Sequence, residues 1–421
     1  MEKIKLAIAI PTYNRIDRLK KTINSILSQK IEKNVELSVI ISNSASNDGT
    51  YEFLNSLKKD NFFIHNLKGE FKINENSQFY NFENLANTIP ETIDWVWWIG
   101  DDDVFNSSNS INYVAQKIIE YKSENISFIH ACQARRATGK SKDIKDTLFN
   151  LCNKFGYHEL LGWLSSLVLT KKLMKHTLKE CSKNKLKTLN ENKNSTQELP
   201  SAFSHSAAIF KKCSNKNALI LDHPNLIEPQ DSVQTEESKK RWAIESVGYR
   251  YSIMIDDFLE LQKMGLINRC SSNFFRYFSY KYWDHLASDY ITELLLIGKQ
   301  SDMNKTKITQ SLIDKVEQQW TKLSQLSQFI ENSDDLKQIS HVFQAGLNYS
   351  MLYINSGFNS EIGDLLLDKF KSLINIPTHS FKLTISDPVS LIQNNTGNKK
   401  HTKINKNIIL EKKPTQQNNF L

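Results

Sequence analysis

The stretch Trp95-Val-Trp-Trp-Ile-Gly-Asp-Asp-Asp-Val-Phe105 constrains this chain more than any other. Its first five residues are aromatic or β-branched, with the length and make-up of a buried strand. The run ends at Gly100, where the backbone can turn, and then in three adjacent carboxylates, Asp101, Asp102 and Asp103. Carboxylates so close repel one another, and a cation relieves that repulsion. Mn2+ or Mg2+ is the simplest choice, because hard divalent ions take carboxylate oxygens. In open α/β sheets ligands gather at the carboxyl ends of strands, which is where these acids would stand. The plainer alternative is a solvated acidic turn.

Strand and helix patterns alternate around this stretch. Residues 4–10 are an apolar run stopped by Pro11, the form of a strand buried on both faces. Asp17 is placed to cap a helix whose Leu19, Ile23, Ile26 and Leu27 recur at helical spacing. Residues 35–41 predict a second strand, and 42–50 a polar loop from which a helix starts at Thr50. A strand over 62–67 and a short helix over 81–88 come before the acidic stretch. A helix over 109–122 and a strand over 126–131 follow it. That order gives βαβ units and a mostly parallel sheet flanked by helices.

Residues 134–146 are polar and basic and read as a mobile loop, and 182–197, rich in Lys and Asn, as a flexible insertion. Residues 156–174 hold apolar residues at mixed spacing and leave their type open. A helix over 199–212, a last strand over 218–221 and a loop over the site at 223–231 complete a first domain expected at 1–237. Helical patterns at 242–264, 274–297, 308–330 and 336–373 predict an α-helical C-terminal domain over 238–380. The Asn- and Lys-rich remainder, 381–421, predicts a disordered tail.

Composition excludes several classes. The 421 residues suffice for two cores. No apolar run reaches the roughly 18 residues of a membrane span, and Pro11 stops the apolar start too early for a signal peptide. Five cysteines lie far apart with no CxxC spacing, against zinc and a disulfide framework and in keeping with a reducing cytoplasm. The net charge of +8 is spread out, which suits an anionic ligand or a membrane surface and not nucleic acid. No GxGxxG or P-loop pattern occurs, so those nucleotide sites drop out.

Three pieces together resemble glycosyltransferase family 2, which has the GT-A fold, a Rossmann-like sheet. Ala9-Ile-Pro-Thr-Tyr-Asn-Arg15 is similar to that family's opening strand and nucleotide loop. Val39-Ile-Ile-Ser-Asn-Ser-Ala-Ser-Asn-Asp-Gly-Thr50 is similar to its second strand and the loop after it. Trp97-Trp-Ile-Gly-Asp-Asp-Asp103 resembles its DxD region in the form found in bacterial surface-polysaccharide transferases. The resemblance covers residues 4–230.

It implies a metal-dependent inverting enzyme that moves a sugar from a nucleotide-sugar donor to a saccharide or lipid-linked acceptor, with Mn2+ or Mg2+ as cofactor. Pro11, Thr12, Tyr13, Asn14 and Arg15 would border the nucleotide. The base-reading acid of the family falls at Asn43, a departure, since an amide donates as well as accepts. Asp48 would shape its loop and Asn81 would face the donor. Asp101 and Asp103 would form the metal pair, with Asp103 in direct contact and Asp102 toward the sugar or ribose.

An attacking hydroxyl needs a base. The family places a carboxylate at the start of a later helix, which points to Glu198, with His205 as competitor and Asp222 and Asp231 as weaker alternatives. Arg135, Arg136, Lys140 and Lys142 could clamp a diphosphate or form solvated loop charge. The aromatic segment 274–283 could touch a membrane or pack a helix core. The expected location is the cytoplasm, with peripheral contact at the inner membrane face. Two other classes compete: a non-catalytic GT-A-like protein that binds sugar nucleotide or polysaccharide, and a nucleotidyl transferase on a related sheet. The missing glycine-rich phosphate loop counts against the second.

Overall fold

A computed structural model describes residues 3–57, 60–66, 77–132, 143–190, 203–230, 255–277, 280–281, 351–373, 382–385 and 408–411, with isolated positions between 314 and 349. Cα proximity divides the chain into two units, Met1–Val233 with Glu260–Leu266, and Gln234–Leu259 with Ile267–Leu421.

 The first unit holds the sheet and every site residue described below.

In the first unit eight strands form one sheet. They are β1 (Ile4–Thr12), β2 (Val35–Asn43), β3 (Phe62–Asn66), β4 (Trp95–Trp98), β6 (Phe128–Ala131), β7 (Ile144–Thr147), β8 (Leu167–Thr170) and β9 (Asn217–Leu221), in the order β3-β2-β1-β4-β8-β6-β9-β7. β1, β2, β3 and β4 run parallel, β8 is antiparallel to β4 and to β6, β9 is parallel to β6, and β7 is antiparallel to β9. The sheet is therefore mostly parallel, the α/β architecture expected from the alternation of patterns. A short pair, β5 (Asp103–Phe105) with β10 (Ile227–Pro229), lies outside it.

Side chains alternate across the sheet, so each strand serves two layers. Leu6, Ile8 and Ile10 of β1 join Trp97 in a core with Leu19, Ile23 and Ile26 of α1 (Ile16–Leu27) and Ile111, Val114 and Ile118 of α4 (Ser110–Glu120). On the opposite face Trp98 meets Phe82 of α3 (Ser77–Thr88) edge to face at 5.0 Å. The intervening helix α2 (Thr50–Ser56) starts where the polar loop predicted it.

Several expectations change. α1 is not capped by Asp17, which lies in its first turn; the Ile16 N–H donates instead to Asp48 Oδ2, across the sheet edge, at 2.9 Å. The basic loop ends early, because residues 144–147 pair with β9 as an edge strand. The undecided segment 156–174 resolves into α6 (Tyr157–Leu161), a 3₁₀ turn at Leu164–Ser166, β8, and the start of α7 (Lys171–Asn190), after α5 (Leu148–Phe155). α7 runs through the first part of the expected insertion, since Lys and Asn without Gly or Pro leave nothing to stop a helix. α8 (Ser204–Cys213) starts later than the predicted 199.

In the second unit, residues 255–259 are helical, and so is α9 (Ser360–Leu373). The aromatic segment expected to begin a helix at Phe274 does otherwise. Ser272–Phe275 is a 3₁₀ turn, and β11 (Arg276–Tyr277) pairs antiparallel with β12 (Tyr280–Lys281). Phe274 and Phe275 are buried against Phe258 and each other, so neither offers a face to a membrane. The tail expected to be disordered carries one antiparallel pair, β13 (Lys382–Ile385) with β14 (Ile408–Glu411). Most of the other predicted C-terminal helices lie outside the described residues.

Candidate functional site

Parallel pairing aligns the carboxyl ends of β1, β2 and β4. Thr12 stands opposite Asn43, Ala9 stands opposite Trp98, and Ile99 N–H donates to the Ala9 carbonyl at 3.0 Å. The three predicted loops therefore meet at one edge. Thr12 Oγ1 donates to Asp101 Oδ2 at 2.8 Å, and Arg15 Nη1 reaches Asp101 Oδ1 at 3.0 Å and Asp102 Oδ2 at 3.1 Å. Arg18 Nη1 adds a contact to Asp102 Oδ2 at 3.5 Å.

The turn is folded tightly because position 100 lacks a side chain. A Cβ there would stand 2.8 Å from Asp102 Oδ1 and 2.9 Å from Asp103 Oδ2. Ser165 Oγ accepts from the Gly100 N–H at 2.7 Å and donates to Asp103 Oδ2. Trp97 Nε1 holds the Ser165 carbonyl at 2.8 Å, so the strand positions the serine that meets its own turn.

The three acids differ in environment. Asp101 and Asp103 are 5% and 4% exposed, whereas the Asp102 side chain is 38% exposed. Burial pushes Asp101 up to about 6, opposed by the charge of Arg15. Burial, then the charge of Asp102, pushes Asp103 up to about 8; hydrogen bonds from Ser165 and Trp163 offset only part. A buried carboxyl with no cation of its own holds its proton.

These residues suit a hard cation. Asp101 accepts from Thr12 and Arg15, Asp102 from Arg15 and Arg18, and Asp103 from Ser165, and a carboxylate has lone pairs beyond those bonds for a cation. Among the described residues no three His, Cys, Asp or Glu gather into a complete metal cage. Mg2+ in particular is commonly held by one or two carboxylates and completed by substrate phosphates.

The other predicted residues take distinct places. Asn14 has a left-handed backbone at φ 49°, which Asn tolerates better than most residues. Its N–H donates to Ser46 Oγ and its Oδ1 accepts from the Asn47 N–H, both at 2.8 Å. Tyr13 and Asn14 thus sit on a loop stitched to the one after β2, while Pro11 lies within β1. Asp48 Oδ1 accepts from the Thr50 N–H and hydroxyl, while its Oδ2 holds the Ile16 N–H. Asn81 accepts from Ser42 Oγ at 2.8 Å and donates to the Thr12 carbonyl at 3.0 Å, tying β1 to β2 from behind.

Asn43 is buried, and its amide is engaged: Nδ2 donates to Asn66 Oδ1 and Oδ1 accepts from the Ser46 N–H and hydroxyl. A base reading Asn43 would have to replace those bonds. His205 is buried, with Nε2 on the Leu161 carbonyl at 3.0 Å and its ring 5.9 Å from Trp98. Burial pushes it down to about 4. Asp222 is buried at the end of β9. Glu198, Asp231, Arg135, Arg136, Lys140 and Lys142 lie outside the described residues.

Sequence reasoning missed Arg18, Thr22, Trp163, Ser165 and Gln230. Thr22 Oγ1 donates to the Asp101 carbonyl at 3.0 Å and the Asp103 carbonyl at 2.8 Å. Gln230 N–H donates to the Asp102 carbonyl at 2.8 Å. The loop expected over the site does reach it, through β10 and Gln230.

Residues 7–181 match the sequence model described as "Glycosyl transferase family 2". Abequosyltransferase RfbV of Salmonella typhimurium is 32% identical over 99 residues, 23% of this chain and 28% of that protein. The match thus spans about a quarter of the relative's length. Among solved structures, S. aureus TarS 1–349 in complex with UDP-GlcNAc is 12% identical, with a TM-score of 0.49 over 88% of this chain and 92% of that one. Mannosyltransferase PcManGT from Pyrobaculum calidifontis, in complex with GDP-Man and Mn2+, is 11% identical, with a TM-score of 0.42 over 84% and 87%.

Proposed function

We propose that this chain is a family 2 glycosyltransferase, whose sequence model residues 7–181 match, and that it moves a sugar from a nucleotide-sugar donor to a saccharide or lipid-linked acceptor during synthesis of a bacterial surface polysaccharide. The observation that carries the reading is the meeting of three strand-end loops on one acidic turn, with Thr12 and Arg15 bonded directly to Asp101. The similarity to an abequosyltransferase over 99 residues supports the surface-saccharide context.

The donor's diphosphate would lie over the acidic turn. Arg15 and Arg18 already face the carboxylates there, and their planar guanidinium groups suit phosphate oxygens as well. Asp101 and Asp103 would hold Mn2+ or Mg2+, and the bound cation would stabilise negative charge on the departing nucleoside diphosphate. Thr12, Asn14 and Asn81 fix the loop beside the nucleotide, and Asn43 stiffens the floor beneath the base through Asn66 and Ser46. Asp102, the exposed acid, faces the side open to sugar or ribose hydroxyls.

Transfer with inversion needs a base on the face opposite the leaving group. We assign it to Glu198, ahead of α8. His205 suits the task poorly: it is held near a pKa of about 4, and one ring nitrogen is engaged with Leu161. Contact with a lipid-linked acceptor would be peripheral; among the described residues no helix is long and apolar enough to cross a membrane.

The test is a panel of nucleotide sugars incubated with the full chain and Mn2+, read as release of nucleoside diphosphate. The expected result is turnover of one donor, abolished by EDTA and by Asp103→Ala. Saturable binding of a donor with no release under any acceptor would favour the non-catalytic binding protein instead.

A further inference from the structure

The acidic turn is held by its backbone as well as by its carboxylates. All three of its carbonyls accept hydrogen bonds from outside the turn. Thr22 Oγ1 reaches the Asp101 and Asp103 carbonyls at 3.0 and 2.8 Å, and the Gln230 N–H reaches the Asp102 carbonyl at 2.8 Å. The two holders also bond to each other. Gln230 Nε2 donates to Thr22 Oγ1 at 2.9 Å and to the Arg18 carbonyl at 3.0 Å.

Chemistry fixes the direction of this chain. The Arg18 carbonyl can only accept, so the nitrogen of the Gln230 amide must face it. That same nitrogen donates to Thr22 Oγ1, which turns the single hydroxyl hydrogen of Thr22 toward the two aspartate carbonyls. The run is therefore Gln230 amide to Thr22 hydroxyl to turn carbonyls, and each link orients the next. Gln230 Oε1 is left buried with no hydrogen-bond partner. An apolar side chain of similar size would carry no such orphan, so the amide is kept despite that penalty, in keeping with a need for its nitrogen.

We propose that Thr22 and Gln230 are positioning residues for cation and donor binding. Neither touches the ligand; they set where the carboxylates of the turn stand by pinning its backbone at all three carbonyls. Thr22 does this from inside α1, the same helix that carries Arg18, so acids and cationic side chains share one frame. The proposal rests on the glycosyltransferase reading for the identity of the ligand.

The experiment measures Mn2+ binding by calorimetry on the full chain, with UDP, GDP, CDP or ADP present, beside thermal melts of each variant. Thr22→Val keeps shape and removes the hydroxyl, Thr22→Ser keeps the hydroxyl, and Gln230→Met cuts the chain at its other end. Residues that orient metal ligands from behind typically change affinity by about 10–100-fold. The expected result is an approximately tenfold or greater weakening in Thr22→Val, a smaller one in Gln230→Met, and recovery in Thr22→Ser to within about threefold of the original chain. Affinity in folded Thr22→Val equal to that of the original chain, while Asp103→Ala loses binding, overturns the proposal and leaves the glycosyltransferase reading standing. Equal losses in Thr22→Ser and Thr22→Val also overturn it. If Thr22→Val does not fold, Gln230→Met with unchanged affinity overturns it. Absence of Mn2+ binding by the original chain with every nucleotide overturns the metal reading and this proposal together.

Discussion

Trp97 and Trp98 are neighbours on β4, yet they look onto two regions that bury ionisable groups in opposite ways. Beside Trp97, through Ser165, lies the acidic turn, where carboxylates are met by a guanidinium and by hydroxyls. Behind Trp98 lie His205 and, close to it, His158, packed among Phe203 and Tyr157. No carboxylate is among the groups that shift either histidine; burial dominates, and it pushes both down. One region gathers donors around its carboxylates, as a cation site requires. The other discards positive charge and becomes part of the core. Burial alone thus marks neither as functional; the partners do.

The largest expected effect breaks the first region. Asp103→Ala should lower sugar transfer by about three orders of magnitude, a loss of roughly 4 kcal/mol in transition-state stabilisation, while circular dichroism stays unchanged. Activity within tenfold of the original chain would place the chemistry elsewhere. Arg15→Met comes next. It leaves Asp101 buried beside Asp102 without its ion pair, and removing one partner of a buried pair costs about 3–5 kcal/mol, reduced here to roughly 2–4 because Arg15 is one-third exposed. Asp101→Asn in the same chain should restore most of that stability in urea melts.

The two regions should also give opposite pH signatures in the metal-free protein. The folded pKa of Asp103, about 8, lies above its ordinary 3.8, so its contribution is fully present at low pH and is lost as pH rises through about 8. The folded pKa of His205, about 4, lies below its ordinary 6.5, so the unfolded chain binds more protons, and stability is lost as pH falls from 6.5 through about 4. Asp103→Asn should flatten the alkaline limb, and His205→Asn the acid limb. Added Mn2+ should raise the melting temperature more at pH 8 than at pH 5. The smallest effect belongs to His205→Asn in the transfer assay, expected within about fivefold of the original chain with an unmoved pH optimum, because a packing histidine supplies no proton transfer. A loss of about a hundredfold with a displaced pH profile would make it the base.

What could be read from the chain without coordinates follows from how local each cause is. β1, β2 and β4 each carry an apolar run, at 6–10, 39–41 and 95–98, and the acids stand just past the end of the last. The partners of those acids are remote. Thr22 looks like any threonine on an amphipathic helix, and Ser165 sits in a segment whose spacing fits neither period. The cap of α1 comes from Asp48, 32 residues downstream, so the nearer Asp17 was the wrong candidate. The aromatic run after Ser272 has helical composition, but packing of Phe274 and Phe275 against Phe258 replaces the helix with a tight turn and a hairpin.

Asp48 has a consequence for ligand capture. One of its oxygens starts α1 and the other starts α2, so a single carboxylate fastens two loops that come from different strands. Neither loop can drift without releasing the other. A ligand gripped by one therefore finds the second already in place, and its association loses little entropy in gathering them. Neutralising Asp48 would loosen both at once, slowing productive encounter without removing any group that touches the ligand.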